Sequence, residues 1–160
     1  MTTISEIFPH QGDNQNTKNT NRLFVYGSLM EGFFNYPDNL GGKVISRYSA
    51  KVRGLLFHQT KKGYPAIVSG DGWVIGEFLE LVDFNNRISI CDRVEQYFGP
   101  DDPRNEYERL VIEAILTNGR RHLAYIYFYA RKDLCTLSNP AIPVPSGNWR
   151  IYMMKNPKGK

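Results

Sequence analysis

The chain has 160 residues, 41% hydrophobic and 22% charged, with a formal net charge of +4. Such a chain buries roughly two-thirds of its unfolded surface, enough for one globular domain without a structural metal or disulfides. Its two cysteines, Cys91 and Cys135, make no CxxC or metal-ligand spacing, and there is no secretory h-region and no run near the ~18 apolar residues of a membrane span, so a reducing cytoplasm is expected.

Residues 1–21 are expected to form a disordered leader. Apart from the short piece Ile4 to Phe8, they are dominated by a polar run, Gln11 to Asn19, that has too little to bury. The domain is expected over 22–152. It opens with Leu23-Phe24-Val25-Tyr26, a short apolar strand that runs into Gly27-Ser28-Leu29-Met30, a glycine turn where successive backbone N–H groups converge as an anion cradle. Val44 to Phe57 reads as a long strand or bent pair with a bulge at Gly54. Gly63 to Val68 reads as a turn leading into a short strand, and Gly72 to Leu81 as another strand. Tyr107 to Leu116 and His122 to Tyr129 are two strands joined by Asn118-Gly119, the pair that favours a type I′ hairpin turn. Period-two alternation recurs without strand-helix repetition, which favours an α+β fold: a mostly antiparallel or mixed sheet curled into a small β-barrel with short helices. Residues 153–160 read as a flexible basic tail with Lys155, Lys158 and Lys160.

The remaining basic residues form no stripe interleaved with aromatics. Arg120 and Arg121 flank a hairpin turn, Lys61 and Lys62 sit on a loop, and nucleic acid is not an expected partner. His10, His58 and His122 have no metal-ligand spacing and read as surface or turn residues; no metal or cofactor is expected.

One helix carries the chemistry. Asp83 is a plausible N-cap, and Phe84, Ile88, Cys91 and Glu95 fall within about 60° of one another at 100° per residue. Glu95 therefore extends an apolar stripe, with Asp92 at its edge. Burial would raise the pKa of such a carboxyl, and shifted carboxyls gather at functional sites. The alternative reading places Glu95 at a frayed helix end, turned to solvent or to Arg109.

Tyr26-Gly27-Ser28-Leu29, Tyr64-Pro65-Ala66, Gly76-Glu77, Asp92-Arg93-Val94-Glu95-Gln96-Tyr97, Tyr107-Glu108-Arg109 and Ser146-Gly147-Asn148-Trp149-Arg150 occur in the order found in the gamma-glutamylcyclotransferase-like (AIG2-like) family. The sequence resembles that family from residue 22 to about 152. The resemblance implies a small mixed-strand barrel and an activity without cofactor: the substrate's own α-amine attacks its γ-glutamyl carbonyl, closes 5-oxoproline and expels an amine. It further implies that Glu95 is the general acid/base and that the amides of Gly27, Ser28 and Leu29, at a turn opening a short helix, grip the substrate α-carboxylate. Tyr26 would shape the pocket floor, and Tyr127 matches a family tyrosine near the pocket. Arg109 reads as a structural ion-pair partner and Trp149 as a plug at the barrel end. The loops Met30 to Gly42 and Phe98 to Glu106 are expected to set the leaving group, the second narrowing the pocket or acting as a lid. Two other readings stand beside this one: a non-catalytic module that binds a γ-glutamyl or carboxylate ligand, and a structural domain in which Glu95 merely caps a loop. An open cavity between Glu95 and the Gly27 to Leu29 turn discriminates against the last.

Overall fold

The alternation read in the sequence closes into a barrel in the computed structural model, which describes residues 20–156. Five strands form the wall: β1 (Arg22–Val25), β2 (Val44–Gln59), β3 (Tyr64–Leu81), β4 (Tyr107–Leu116) and β5 (Arg121–Tyr129). Around the ring the order is β3-β1-β5-β4-β2, and β2 pairs with β3 to close it; β6 (Ala141–Pro143) adds to the outer end of β2. Only β1 and β5 run parallel, in register at Leu23 and Tyr125, so the barrel is mixed. Among the described residues three short helices complete the barrel: α1 (Tyr36–Asn39), α2 (Phe84–Val94) and α3 (Trp149–Lys155).

The long β2-β3 hairpin is the frame. Ala50, Val52, Gly54 and Leu56 turn inward at every second position, as a half-buried strand requires. The register slips between Arg53 and Leu55, whose partners are Trp73 and Val68, so the extra residues of the bulge lie on β3, opposite Gly54 rather than at it. The two short strands expected after Gly63 are one: β3 runs unbroken from Tyr64 to Leu81, because it pairs with β2 on both sides of that bulge. Leu23, Val52, Ile67, Val74, Leu79, Ile112 and Ile126 are fully buried in the barrel core.

Two local details differ from the sequence reading. At the β4-β5 turn the Gly119 N–H donates to Leu116 O (2.8 Å), and of Asn118 and Gly119 only Gly119 has positive φ (88°). That is a three-residue loop ending in a glycine bulge, not a two-residue type I′ turn. Asp83 does precede α2, but its backbone is left-handed (φ 50°) and its side chain makes no capping bond.

Trp149, the first residue of α3, is completely buried, stacked on Tyr152 and edge-on to His58. His58 is therefore no surface residue: it lies in β2, its Nδ1 is 2.6 Å from the Tyr152 hydroxyl, and burial lowers its pKa. His10 lies outside the described residues. Helix α3 carries the chain to Lys155, with Met153 on its buried face. Among the described residues no helix is long and apolar enough to cross a membrane.

Candidate active site

Strand β1 ends by delivering Tyr26 and then the Gly27 turn to one end of the barrel. The turn is closed by the Met30 N–H donating to Gly27 O at 2.9 Å. The returning loop braces it, since the Asn35 N–H donates to Ser28 O and Asn35 Nδ2 to Ser28 Oγ, both at 2.9 Å. Position 27 must be glycine for a steric reason: a Cβ there would lie 2.5 Å from Cγ of Pro65. The N–H groups of Gly27, Ser28 and Leu29 donate to no acceptor among the described residues. No helix opens at this turn, because the next one, α1, begins only at Tyr36 and has four residues. Any pull on an anion comes from the amides themselves rather than from a helix dipole.

Helix α2 supplies the facing wall. Ile88 and Cys91 are buried on its inner face, Phe84 stacks on Tyr125, and Glu95 follows at the C-cap with its N–H still bonded to Cys91 O (2.9 Å). The helix thus stops just as its stripe reaches the carboxylate. Glu95 keeps part of its surface open to the cavity and accepts no hydrogen bond from the described residues. Its pKa is pushed up to about 8, first by burial and then by the negative charges of Glu106 and Asp92. Arg109 does not pair with it. The guanidinium goes to Asp92 at 2.7 Å, so the alternative in which Arg109 holds Glu95 is not the arrangement found.

These two walls enclose a cavity of about 240 Å³. Every residue singled out from the sequence, Tyr26, Gly27, Ser28, Leu29, Glu95 and Tyr127, lines it. The Tyr26 hydroxyl donates to Tyr127 O and the Tyr127 hydroxyl to Asp92 Oδ1, both at 2.7 Å, which ties the two tyrosines to each other and to α2. Burial raises the pKa of both phenols, so they are neutral hydrogen-bond donors.

Sequence reasoning missed part of the wall. Asn35, Tyr64, Pro65, Glu106 and Tyr107 also line the cavity. Glu106 is the important omission. The residue is 6% exposed, and Oε2 accepts from Lys62 Nζ (2.8 Å) and the Tyr64 hydroxyl (2.6 Å). Lys62 is accordingly not an idle loop lysine; its ammonium is held protonated by Glu106 and Tyr129. No local pattern marks Glu106, whose burial depends on partners more than forty positions away. The loop before it does not cover the pocket: Asn105 ties it to itself through the Phe98 N–H and Gly99 O, and none of residues 97–105 lines the cavity.

A small mixed barrel with its ligand cavity between a first-strand glycine turn and the C-terminus of a helix defines a recognisable class. Residues 23–151 match the family described as gamma-glutamyl cyclotransferase, AIG2-like, and the chain belongs to that family. The gamma-L-glutamyl-butirosin B gamma-glutamyl cyclotransferase of Niallia circulans is 31% identical over 137 residues, which cover 86% of this chain and 80% of that protein. Among solved structures, YkqA from Bacillus subtilis superimposes with a TM-score of 0.60 at 22% identity, covering 87% of this chain and 43% of its own. This chain therefore spans less than half the length of YkqA. An AIG2-like protein from Mus musculus gives a TM-score of 0.52 at 20% identity, over 68% of this chain and 76% of that one. These likenesses bear on the fold.

Proposed function

We propose that this protein releases 5-oxoproline from a γ-glutamyl amine, with Glu95 moving the protons and the Gly27–Leu29 amides holding the substrate α-carboxylate. The observation that carries the reading is that a half-buried carboxyl of raised pKa and three unbonded backbone N–H groups line one cavity. An intramolecular attack needs no protein nucleophile. Held in the ring-closing conformation, it reaches effective molarities on the order of 10⁵ M or more, so the site has only to bind, orient and transfer protons.

The steps balance through one carboxyl group. Glu95 takes a proton from the α-ammonium, and the freed nitrogen attacks the γ-carbonyl carbon to form the ring C–N bond. As the tetrahedral carbon collapses, the bond to the departing nitrogen breaks and that nitrogen is protonated. The attacking nitrogen gives up two protons in all and the leaving amine gains two, departing as an ammonium. A carboxyl whose pKa lies near the ambient pH serves both directions. In the empty site Glu95 is mostly protonated at neutral pH. Binding of the substrate ammonium favours the carboxylate that the first step requires.

The leaving amine is the open question for experiment. The Niallia circulans relative is named for a γ-glutamylated butirosin, so the test panel spans free γ-glutamyl amino acids, γ-glutamyl-lysine and γ-glutamyl amines with large polyamine leaving groups. Release of 5-oxoproline from at least one, lost in Glu95→Gln, is the expected result. Tight binding of γ-glutamyl amines with no product from any of them would overturn the enzyme reading in favour of a binding module.

A further inference from the structure

Glu106 is a carboxylate with half of its hydrogen-bonding capacity unspent. Oε2 is saturated by Lys62 and Tyr64, whereas Oε1 has no partner among the described residues. Glu106 lines the cavity, and Oε1 is the carboxylate oxygen that its protein partners leave for a ligand there. The backbone fixes this residue firmly, since the Glu106 N–H donates to Gln96 O (3.1 Å) and Glu106 O accepts from the Ala130 N–H (2.8 Å). A rigid anionic acceptor facing a cavity with no cationic residue in its lining fits a ligand N–H, best of all an ammonium.

We propose that Glu106 holds the substrate α-ammonium through Oε1, leaving another of its three N–H groups directed at Glu95. This deepens the cyclotransferase reading and rests on it. The division of labour is physical. Glu106, already paired with Lys62 and Tyr64, stays a hydrogen-bond acceptor throughout, while Glu95, which has no fixed partner, is left to gain and lose the proton. Two carboxylates around one ammonium also fix its direction, which a single carboxylate does not.

The test uses two unreactive ligands that differ by the ammonium alone: L-glutamate, which carries it, and glutarate, which lacks it. Binding is measured by calorimetry on the full chain. A charge-assisted hydrogen bond to a buried carboxylate is worth about 10- to 100-fold in affinity, and wild type should prefer L-glutamate by that factor. Glu106→Gln should abolish the preference, and Glu95→Gln should retain most of it. Because Glu106→Gln strands the Lys62 charge, the double variant Lys62→Met, Glu106→Gln serves as the control for folding and should also lack the preference. Absence of any preference in wild type, or a preference that survives Glu106→Gln, overturns the proposal. The two readings fail separately. Wild type that releases 5-oxoproline while Glu106→Gln still prefers L-glutamate sinks only the role of Glu106. A preference that behaves as expected without turnover of any γ-glutamyl amine sinks only the reaction.

Discussion

Replacing Glu95 by glutamine keeps the side chain's shape and removes its titration, so it isolates what the buried carboxyl costs. The unfolded chain titrates this group near the ordinary 4.5, whereas burial beside Glu106 and Asp92 raises it to about 8 in the folded protein. A raised folded pKa means that the native state holds a proton the unfolded chain has given up. The stability contributed by that proton is fully present below about 4.5, declines as pH climbs toward 8, and is gone above it. Each pH unit in that window is worth about 1.4 kcal/mol. Relative to glutamine, the wild-type carboxyl is therefore a liability of about 3 kcal/mol at pH 7 and about 5 kcal/mol at pH 9, ceilings that water in the open cavity lowers. No hydrogen bond to Glu95 from the described residues is lost in the exchange to offset this gain. Urea unfolding of both proteins at pH 5, 7 and 9 measures the difference, which should be small at pH 5 and grow with pH in favour of Glu95→Gln. Release of 5-oxoproline should fall at the same time by ~10²–10⁴ or more. A glutamine variant that is less stable at every pH and turns over at the parent rate would refute both the electrostatic account and the catalytic one.

The wild-type kcat/KM should rise with pH through a midpoint near 8 and level off above it, because the free enzyme must present Glu95 as a carboxylate; a flat profile from pH 6 to 9 contradicts this. Gly27→Ala drives a methyl group into Pro65 and should cost about 1–3 kcal/mol by thermal unfolding, with glutarate binding weakened as the turn shifts. Unchanged melting and binding would show that the close approach is not needed. Crystals grown in sulfate or a carboxylate buffer should hold an anion against the amides of residues 27–29. Density for an open pocket with nothing at those amides would count against the cradle.

Local signals were the legible ones. The β4-β5 hairpin and the α2 stripe leading to Glu95 follow from spacing and turn chemistry within about fifteen residues, and both are present. The turn at Gly27 was equally visible, because a glycine after an apolar strand is a local feature. What escaped was set by distant partners. Glu106 looks like any loop-end acid until Lys62 and Tyr64 arrive from the β2-β3 turn. His58 reads as surface until α3 folds over it. The union of Tyr64 to Val68 with Gly72 to Leu81 in one strand depends on β2 lying alongside both. The dipeptide Asn118-Gly119 suits two loop lengths, and the β4-β5 register takes the longer.

The lone parallel pairing in the barrel bears on when the site comes into being. Strand β1 has only four residues, and it is secured on one side by β3 and on the other by β5, with Tyr26 bonded to Tyr127 across 101 positions of chain. Strand β1 can settle on β3 through its four antiparallel pairs, but its parallel pairing with β5 and the Tyr26–Tyr127 bond wait for nearly the last strand, and closing so long a loop is a slow, late step. On the ribosome, β1, the β2-β3 hairpin and α2 can assemble first, with Glu95 and the Gly27 turn on the rim of a sheet that is not yet closed. The cavity is completed by the same event that closes the barrel, when Glu106, Tyr107 and Tyr127 arrive with β4 and β5, so a partly made chain carries Glu95 and the Gly27 turn without the wall that encloses them.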